Sequence, residues 1–263
     1  MTYFGFLLRF LIPPILLFFL LTWRDERQHL PMKHFQNGRA VWKILAVHIA
    51  LAVIYTTPWD NYLVANGVWS YDPVLVSGIV LGYVPLEEYL FFVLETLLSG
   101  LWWWFLARRL SEPQRFTPSK VGRLVAFGLL LVVWGISAFL LFGGELRTTY
   151  LSIILFWALP AIFPQFLIGA DILWHYRKLV GLGILIPATY LSLTDILALR
   201  AGTWSISPMH TTGIRFFGIL PLEEVLFFFI TNVLIIFGMT LMLSNLCRQR
   251  FFDWRRKSFR GFP

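Results

Sequence analysis

Two pairs of adjacent carboxylates stand in apolar surroundings. Pro85-Leu86-Glu87-Glu88 and Pro221-Leu222-Glu223-Glu224 spell the same word, and each is followed at the same spacing by a phenylalanine, Phe91 and Phe227. Acids in such surroundings are costly and mark a functional site by default. A carboxylic acid held away from water can keep its proton near neutral pH and give it up as a general acid. Aromatic faces shelter a cation through the ring quadrupole, and a carboxylate can remove the last proton. Together these parts would protonate an alkene, hold the carbocation and quench it without a redox cofactor.

The words belong to a longer repeat. Asp60, Gly67 and Trp69 recur as Asp195, Gly202 and Trp204, 135 positions on, and the offset becomes 136 at the PLEE words, so the second copy carries one extra residue between. Leu90-Phe91-Phe92 then matches Leu226-Phe227-Phe228. At offset 136, Glu95 corresponds to Thr231 and Arg215 to Ile79, so the halves are similar but not interchangeable. Arg215 reads as a partner for a Glu or as an interfacial anchor. A single Pro-x-Glu-Glu is also a plain helix start at a membrane surface; two copies, both preceded by apolar segments, point to a site made from two related halves.

The elements that position these residues are transmembrane helices. The chain is 58% hydrophobic and 14% charged, against about 25% charged in soluble domains. Apolar runs near the length of a bilayer span give seven spans, at about 3–22, 41–57, 79–106, 121–142, 149–170, 179–199 and 214–246, with the third and seventh longest and each holding a PLEE word several residues inside its start. The first run lacks a basic start and an Ala-x-Ala-like end and reads as a retained span. The fold class is therefore an all-α polytopic membrane protein, in which two parallel three-helix repeats are joined by one connecting helix. The boundaries are 1–110 for the first repeat, 111–148 for linker and connecting helix, 149–246 for the second repeat and 247–263 for a basic tail. The linker Ser111–Lys120, with Pro113 and Pro118, is the charged break.

The net charge of +8 is distributed by topology. Of 22 Lys and Arg, eighteen fall at 24–43, 108–123, 177–178 and 248–260. The positive-inside rule then puts the protein in the cell membrane with its N-terminus outside and C-terminus in the cytosol. The basic excess is topogenic, which argues against a nucleic-acid partner. The tail contacts anionic lipid in this reading. Cys247 is alone, and the five histidines lack metal-ligand spacing, so no metal site is expected. No dinucleotide, P-loop or zinc-protease motif appears, and no cofactor is expected.

Local geometry refines the site. Val74–Val84 and Thr211–Leu220 are too short to span and read as re-entrant pieces or as bent first turns of the long helices. Pro is tolerated in a first helical turn. The two Glu fall in that turn, where the helix dipole favours negative charge. Consecutive helical residues point about 100° apart, so Glu87 and Glu88 do not share a face. Asn66-Gly67 and Ala201-Gly202 read as turns, and Trp69 and Trp204 fit an aromatic belt at the outer interface. The two words are expected to face one apolar cavity a helix turn or two below the outer surface.

These residues resemble the integral-membrane lycopene cyclases, whose hallmark is Pro-x-Glu-(Glu/Asp)-x-x-Phe in each half. Pro85-Leu-Glu87-Glu88-Tyr-Leu-Phe91 and Pro221-Leu-Glu223-Glu224-Val-Leu-Phe227 fit it in order. Pro58-Trp59-Asp60-Asn61 and Gly67-Val-Trp69-Ser-Tyr71 also look like family features, while the second half lacks the Pro-Trp before Asp195. The resemblance covers roughly residues 1–246. It implies closure of the linear ends of lycopene to ionone rings without net redox change. A Glu among Glu87, Glu88, Glu223 and Glu224 would donate the proton, and a second acid, or Asp60 or Asp195, would accept the last one. Phe91, Phe92, Phe227, Phe228, Trp69 and Trp204 are the candidate substrate-binding residues. The implied partners are lycopene or a related long polyene, membrane lipid and other carotenoid enzymes. Two other readings stay open: a hydratase-like enzyme that quenches the same cation with water, and a non-enzymatic carotenoid carrier or transporter. A retinal protein is excluded, because span seven has no lysine.

Overall fold

In a computed structural model, which describes residues 1–110 and 115–260, seven helices are long and apolar enough to cross a membrane. They are α1 (Tyr3–Arg27), α2 (Arg39–Ala65), α3 (Leu86–Ala107), α4 (Lys120–Phe142), α5 (Leu146–His175), α6 (Arg177–Arg200) and α7 (Leu222–Leu243). A further helix, α8 (Asn245–Arg260), follows α7. Part of the expected linker, including Pro113, lies outside the described residues, as does the end of the basic tail.

The third and seventh spans were expected to be the longest and are the shortest, at 22 residues each. The residues before the PLEE words are neither helical turns nor re-entrant helices. They fold into small antiparallel hairpins: β2 (Val80–Leu81) with β3 (Val84–Pro85), and β5 (Arg215–Phe216) with β6 (Leu220–Pro221). Glycine is the physical reason. Gly78 and Gly82 at φ 80° and 71°, with Gly213 and Gly218 at 80° and 71°, take left-handed conformations that end helical periodicity. Each proline closes its hairpin and then caps its helix. Leu86 N–H donates to Ile79 O and Leu222 N–H to Ile214 O, so the first free donor of each helix is satisfied.

The hairpins also locate the extra residue of the second copy. Leu81 faces Val84 across a two-residue tip, whereas Phe216 faces Leu220 across a three-residue tip. Gly82 and Gly218 correspond, and Phe217 is the insertion. It adopts φ 52°, where a bulky side chain is strained. Arg215 therefore matches Val80 and not Ile79, and it lies exposed on β5.

A third ladder joins the two halves. β1 (Trp69–Tyr71) runs antiparallel to β4 (Trp204–Ile206), with Ser70 opposite Ser205 and Trp69 and Tyr71 opposite Ile206 and Trp204. Ser70 and Ser205 are 135 positions apart, so matched residues meet about a local two-fold. Their hydroxyls are 2.7 Å apart. At the opposite ends of the helices, Arg109 grips both oxygens of Asp25 on α1 at 2.7 and 3.0 Å. Arg250 grips both oxygens of Asp171 on α5 at 2.8 Å. Paired N–H donors on a carboxylate give these two clasps their geometric specificity.

Candidate active site

The two carboxylates of each word do different things, as the 100° rotation between neighbouring residues requires. Glu87 turns to its own hairpin and accepts from Ser77 N–H at 2.5 Å and Ser77 Oγ at 3.1 Å. Glu223 does the same with Thr212 N–H at 2.6 Å. Both are 0% exposed. Glu88 and Glu224, one position on, turn the other way, into the space between the halves. Glu88 accepts from the hydroxyls of Tyr3 at 2.5 Å and Tyr71 at 3.0 Å. Glu224 accepts from Tyr150 at 2.7 Å.

Glu88 and Glu224 line one small cavity of about 30 Å³, together with Asp195, room for about one water. Its remaining walls are mostly aromatic: Tyr3, Trp69, Tyr71, Phe91, Trp204, Phe227 and Phe228. Trp204 Nε1 donates to Asp195 at 2.8 Å. The rings interlock across the halves. Tyr3 packs on Trp204 at 4.8 Å and Tyr150 on Trp69 at 5.5 Å, centroid to centroid. Phe91 meets Phe228 edge-on at 6.2 Å, and Phe227 meets Trp69 edge-on at 5.9 Å. Neither half encloses the cavity alone.

Of the residues singled out in the sequence, Glu88, Glu224, Asp195, Phe91, Phe227, Phe228, Trp69 and Trp204 come together on this cavity. Trp69 and Trp204 are therefore cavity walls and not members of an outer belt. Glu87 and Glu223 are not walls; they fasten the hairpins that start α3 and α7. Phe92 lines a neighbouring groove. Asp60 is fully buried, and neither of its oxygens has a hydrogen-bond partner. It lies close enough to act on Tyr71: burial above all, with Glu88 and then Asp60, pushes that phenol well above its ordinary value. Tyr71 thus stays a donor to Glu88 well past neutral pH. Arg215 forms no ion pair with a Glu among the described residues.

Sequence reasoning missed the three tyrosines. Tyr3 and Tyr150 open α1 and α5 at matching places and each donates to the second Glu of its own half. They are 147 positions apart instead of 135, because the loop between α1 and α2 is longer than that between α5 and α6, so the repeat hid them. Tyr71 has no counterpart, since Ile206 holds the matching position. His48 is a packed histidine whose Nδ1 lies 2.8 Å from Ile44 O. Among the described residues, no group of three or more His, Cys, Asp or Glu is arranged to hold a metal.

The chain is 39% identical over 207 residues to a lycopene beta-cyclase of Halobacterium salinarum, covering 78% of this chain and 84% of that one. It is 36% identical over 205 residues to a bifunctional lycopene cyclase/phytoene synthase of Podospora anserina, covering 73% of this chain and 33% of that one. The corresponding protein of Phaeosphaeria nodorum is 37% identical over 205 residues, with 72% and 34% covered. No family model matches the chain. No solved structure matches it either.

Proposed function

The chain belongs to the lycopene cyclase family, and from that premise we propose that the linear ends of lycopene are closed to rings at the cavity between its halves, which widens from its one-water size to take the end group. The observation that carries the reading is the meeting of Glu88, Glu224 and Asp195 on one small aromatic-walled cavity. Carboxyl groups this close together and away from water repel one another as anions, so a proton held among them is shared and available. That proton is the acid the reaction needs.

Glu224 is the proton donor. It receives a single hydroxyl donor, Tyr150, and stands beside Phe227 and Phe228. Protonation of the terminal double bond gives a tertiary cation; the neighbouring internal double bond attacks it and closes the ring. The new cation lies among the faces of Phe91, Phe227, Phe228 and Trp69, each of which favours positive charge. Glu88, held by two tyrosine hydroxyls, is suited to remain a carboxylate that balances the cation and takes the final proton, with Asp195 beside it. Proton in and proton out leave no net redox change. The name of the Halobacterium salinarum relative makes β-ionone rings the expected product. Glu87, Glu223 and Asp60 act on this site through its framework.

The same reading extends to the organisation of the chain. Two parallel three-helix units, α1–α3 and α5–α7, are joined by α4, as the Ser70–Ser205 meeting supports. The basic loops put the N-terminus outside and α8 at the cytosolic face, next to lipid. The cavity then lies near the outer surface. Cells that accumulate lycopene and express this protein should convert it to cyclic carotene by pigment chromatography, and Glu224→Gln protein should leave it linear. A hydroxylated acyclic product would overturn the reading in favour of hydration, and unchanged lycopene bound to wild-type protein would overturn it in favour of a carrier.

A further inference from the structure

A second cavity of about 490 Å³ lies beside the acid site, between α2, α3, α5 and α7, with Glu95 of α3 and Cys247 and Phe251 of α8 also in its wall. Phe227 lines both. The groove starts where α2 and α5 clasp each other, with Tyr55 O–H donating to Trp157 O at 2.8 Å and Trp157 Nε1 donating to Tyr55 O at 3.0 Å. It continues along α7 from Phe227 to Met242, about 22 Å at 1.5 Å per residue. Its walls are overwhelmingly apolar, and Leu51 and Met242 on its rim are 55% and 45% exposed. In a membrane, that rim faces lipid.

In the other half, aromatic rings pack into the related space. A matching clasp is present, with Tyr190 O–H donating to Phe10 O at 2.7 Å, 135 and 147 positions before or after its counterparts. Beyond it Phe18 packs on Trp102 and Phe105 at 5.1 and 5.5 Å, and Trp102 Nε1 donates to Leu182 O at 3.0 Å. The residues that correspond to Phe18 and Trp102 are Gln165 and Gly238, and both line the groove. Two large rings are thus replaced by an amide and a hydrogen atom. The His48 ring fills the place beside Gly238, so the groove is open chiefly because Gln165 stands where the other half has a ring.

We propose that this groove holds the long conjugated arm of the linear polyene while its end group sits at the acid site, so that substrate enters sideways from the bilayer through a single mouth. This rests on the cyclase reading of the neighbouring cavity. The occupant is identified by shape and chemistry: a rod with few polar groups, long enough to run half-way across a bilayer, in a groove that shares the Phe227 wall with the aromatic cavity. One mouth also means that the two ends of a symmetric polyene react one at a time. A molecule closed at one end must leave and return reversed, so a monocyclic product is released into the membrane between the two closures.

The test fills the groove without touching the acids. Gln165→Phe restores the ring present in the other half, Ala161→Trp fills the wall one turn away, and Leu129→Trp on the lipid face of α4 is the control. Lycopene conversion in membranes and lycopene retained by purified Glu224→Gln protein are both measured, with thermal unfolding in detergent as the check on folding. Both filling substitutions should cut retention and conversion at least tenfold at unchanged unfolding temperature, and the control should do neither. Lycopene supplied as a pulse and chased with labelled lycopene should give monocyclic product that mixes with the chase. Folded Gln165→Phe or Ala161→Trp protein that retains and converts lycopene at wild-type level, with phospholipid in the wild-type groove, would overturn the groove proposal while leaving the cyclase reading intact. Wild-type protein that retains lycopene in a manner sensitive to Gln165→Phe, yet never cyclises it, would keep the groove and sink the cyclase reading. Should one filling variant misfold, the other carries the test.

Discussion

The region around Glu88 and the region around Glu224 are built on one plan and finished differently. In both, the first Glu fastens a glycine hairpin and the second accepts a tyrosine hydroxyl from the helix that opens its half. In both, an aspartate is buried near the C-terminal end of the preceding span. The differences all concern what each acid can do. Glu88 has Tyr71 as a second donor, where the other half has Ile206. Asp195 is held by Trp204, whereas Asp60 has no hydrogen-bond partner. In the proposed mechanism, shared residues place the acids, and unshared ones separate an acid from a base. A symmetric site would hold two identical carboxylates with no way to assign the proton; these replacements break the tie.

The largest effect expected from this contrast is at the second Glu of each word. Glu224→Gln keeps the shape and hydrogen bond to Tyr150 but cannot give a proton, and should lower conversion by about 10²–10⁴-fold, the range for a general acid. Glu88→Gln should also be severe, because the cation loses its counter-charge. Conversion in membranes per mole of folded protein measures both. Wild-type rates from Glu224→Gln protein would break the assignment outright.

The tyrosines sharpen the same contrast at smaller scale. Tyr150→Phe removes the hydroxyl recorded on Glu224 and, at about 1.5–3 kcal/mol for a hydrogen bond to a charged group, should slow conversion ten- to a hundredfold. Tyr71→Phe leaves Glu88 with Tyr3 and should cost only a few-fold. Equal losses in the two variants would show that the second donor carries no distinction between the halves.

Next come the first Glu residues, which should affect stability more than chemistry. Glu87→Ala removes the acceptor of Ser77 N–H and its hydroxyl, and Glu223→Ala removes that of Thr212 N–H. A hydrogen bond contributes about 0.5–1.5 kcal/mol net, so both proteins should unfold at lower temperature, Glu223→Ala no less than Glu87→Ala because exposed Ser77 can turn to water. Conversion per folded molecule should fall far less than in Glu224→Gln. If Glu87→Ala kept its stability and lost conversion as completely as Glu224→Gln, the division of labour within each word would be wrong.

Much of this was legible beforehand, and the physical reasons for the rest are specific. Apolar length alone gave all seven spans, and the doubled word gave the acids and most of the rings around them. Periodicity could say that Glu87 and Glu88 face apart, but not which one faces the cavity. That depends on Gly78 and Gly82 folding back so that Ser77 meets Glu87. The same glycines explain why the third and seventh spans were read as too long: Ile79–Val84 and Ile214–Leu220 are apolar enough to be helix and are bent by backbone conformation instead. The tyrosines were hidden because a loop of different length shifts α1 against α5. The groove was hidden because it is a difference, visible only once Gln165 is set against Phe18.

The smallest expected effect concerns the one residue that the second half has and the first lacks. Phe217 stands at φ 52° and is 75% exposed, so its ring packs on little of the protein while its backbone carries a cost of about 1–2 kcal/mol. Phe217→Gly removes that strain and adds about 0.5–1 kcal/mol of chain entropy to be lost on folding. The net should be a gain in stability of up to about 1 kcal/mol in detergent, read as a small rise in unfolding temperature. The corresponding tip residues of the first half, Gly82 and Tyr83, need no such relief, because the glycine there takes the positive φ. A loss of stability from Phe217→Gly in lipid bilayers, against a gain in detergent, would mean that the ring is held by lipid. The strained insertion would then be an anchor that fixes the second hairpin at the membrane surface, a difference between the halves that concerns the bilayer rather than the acids.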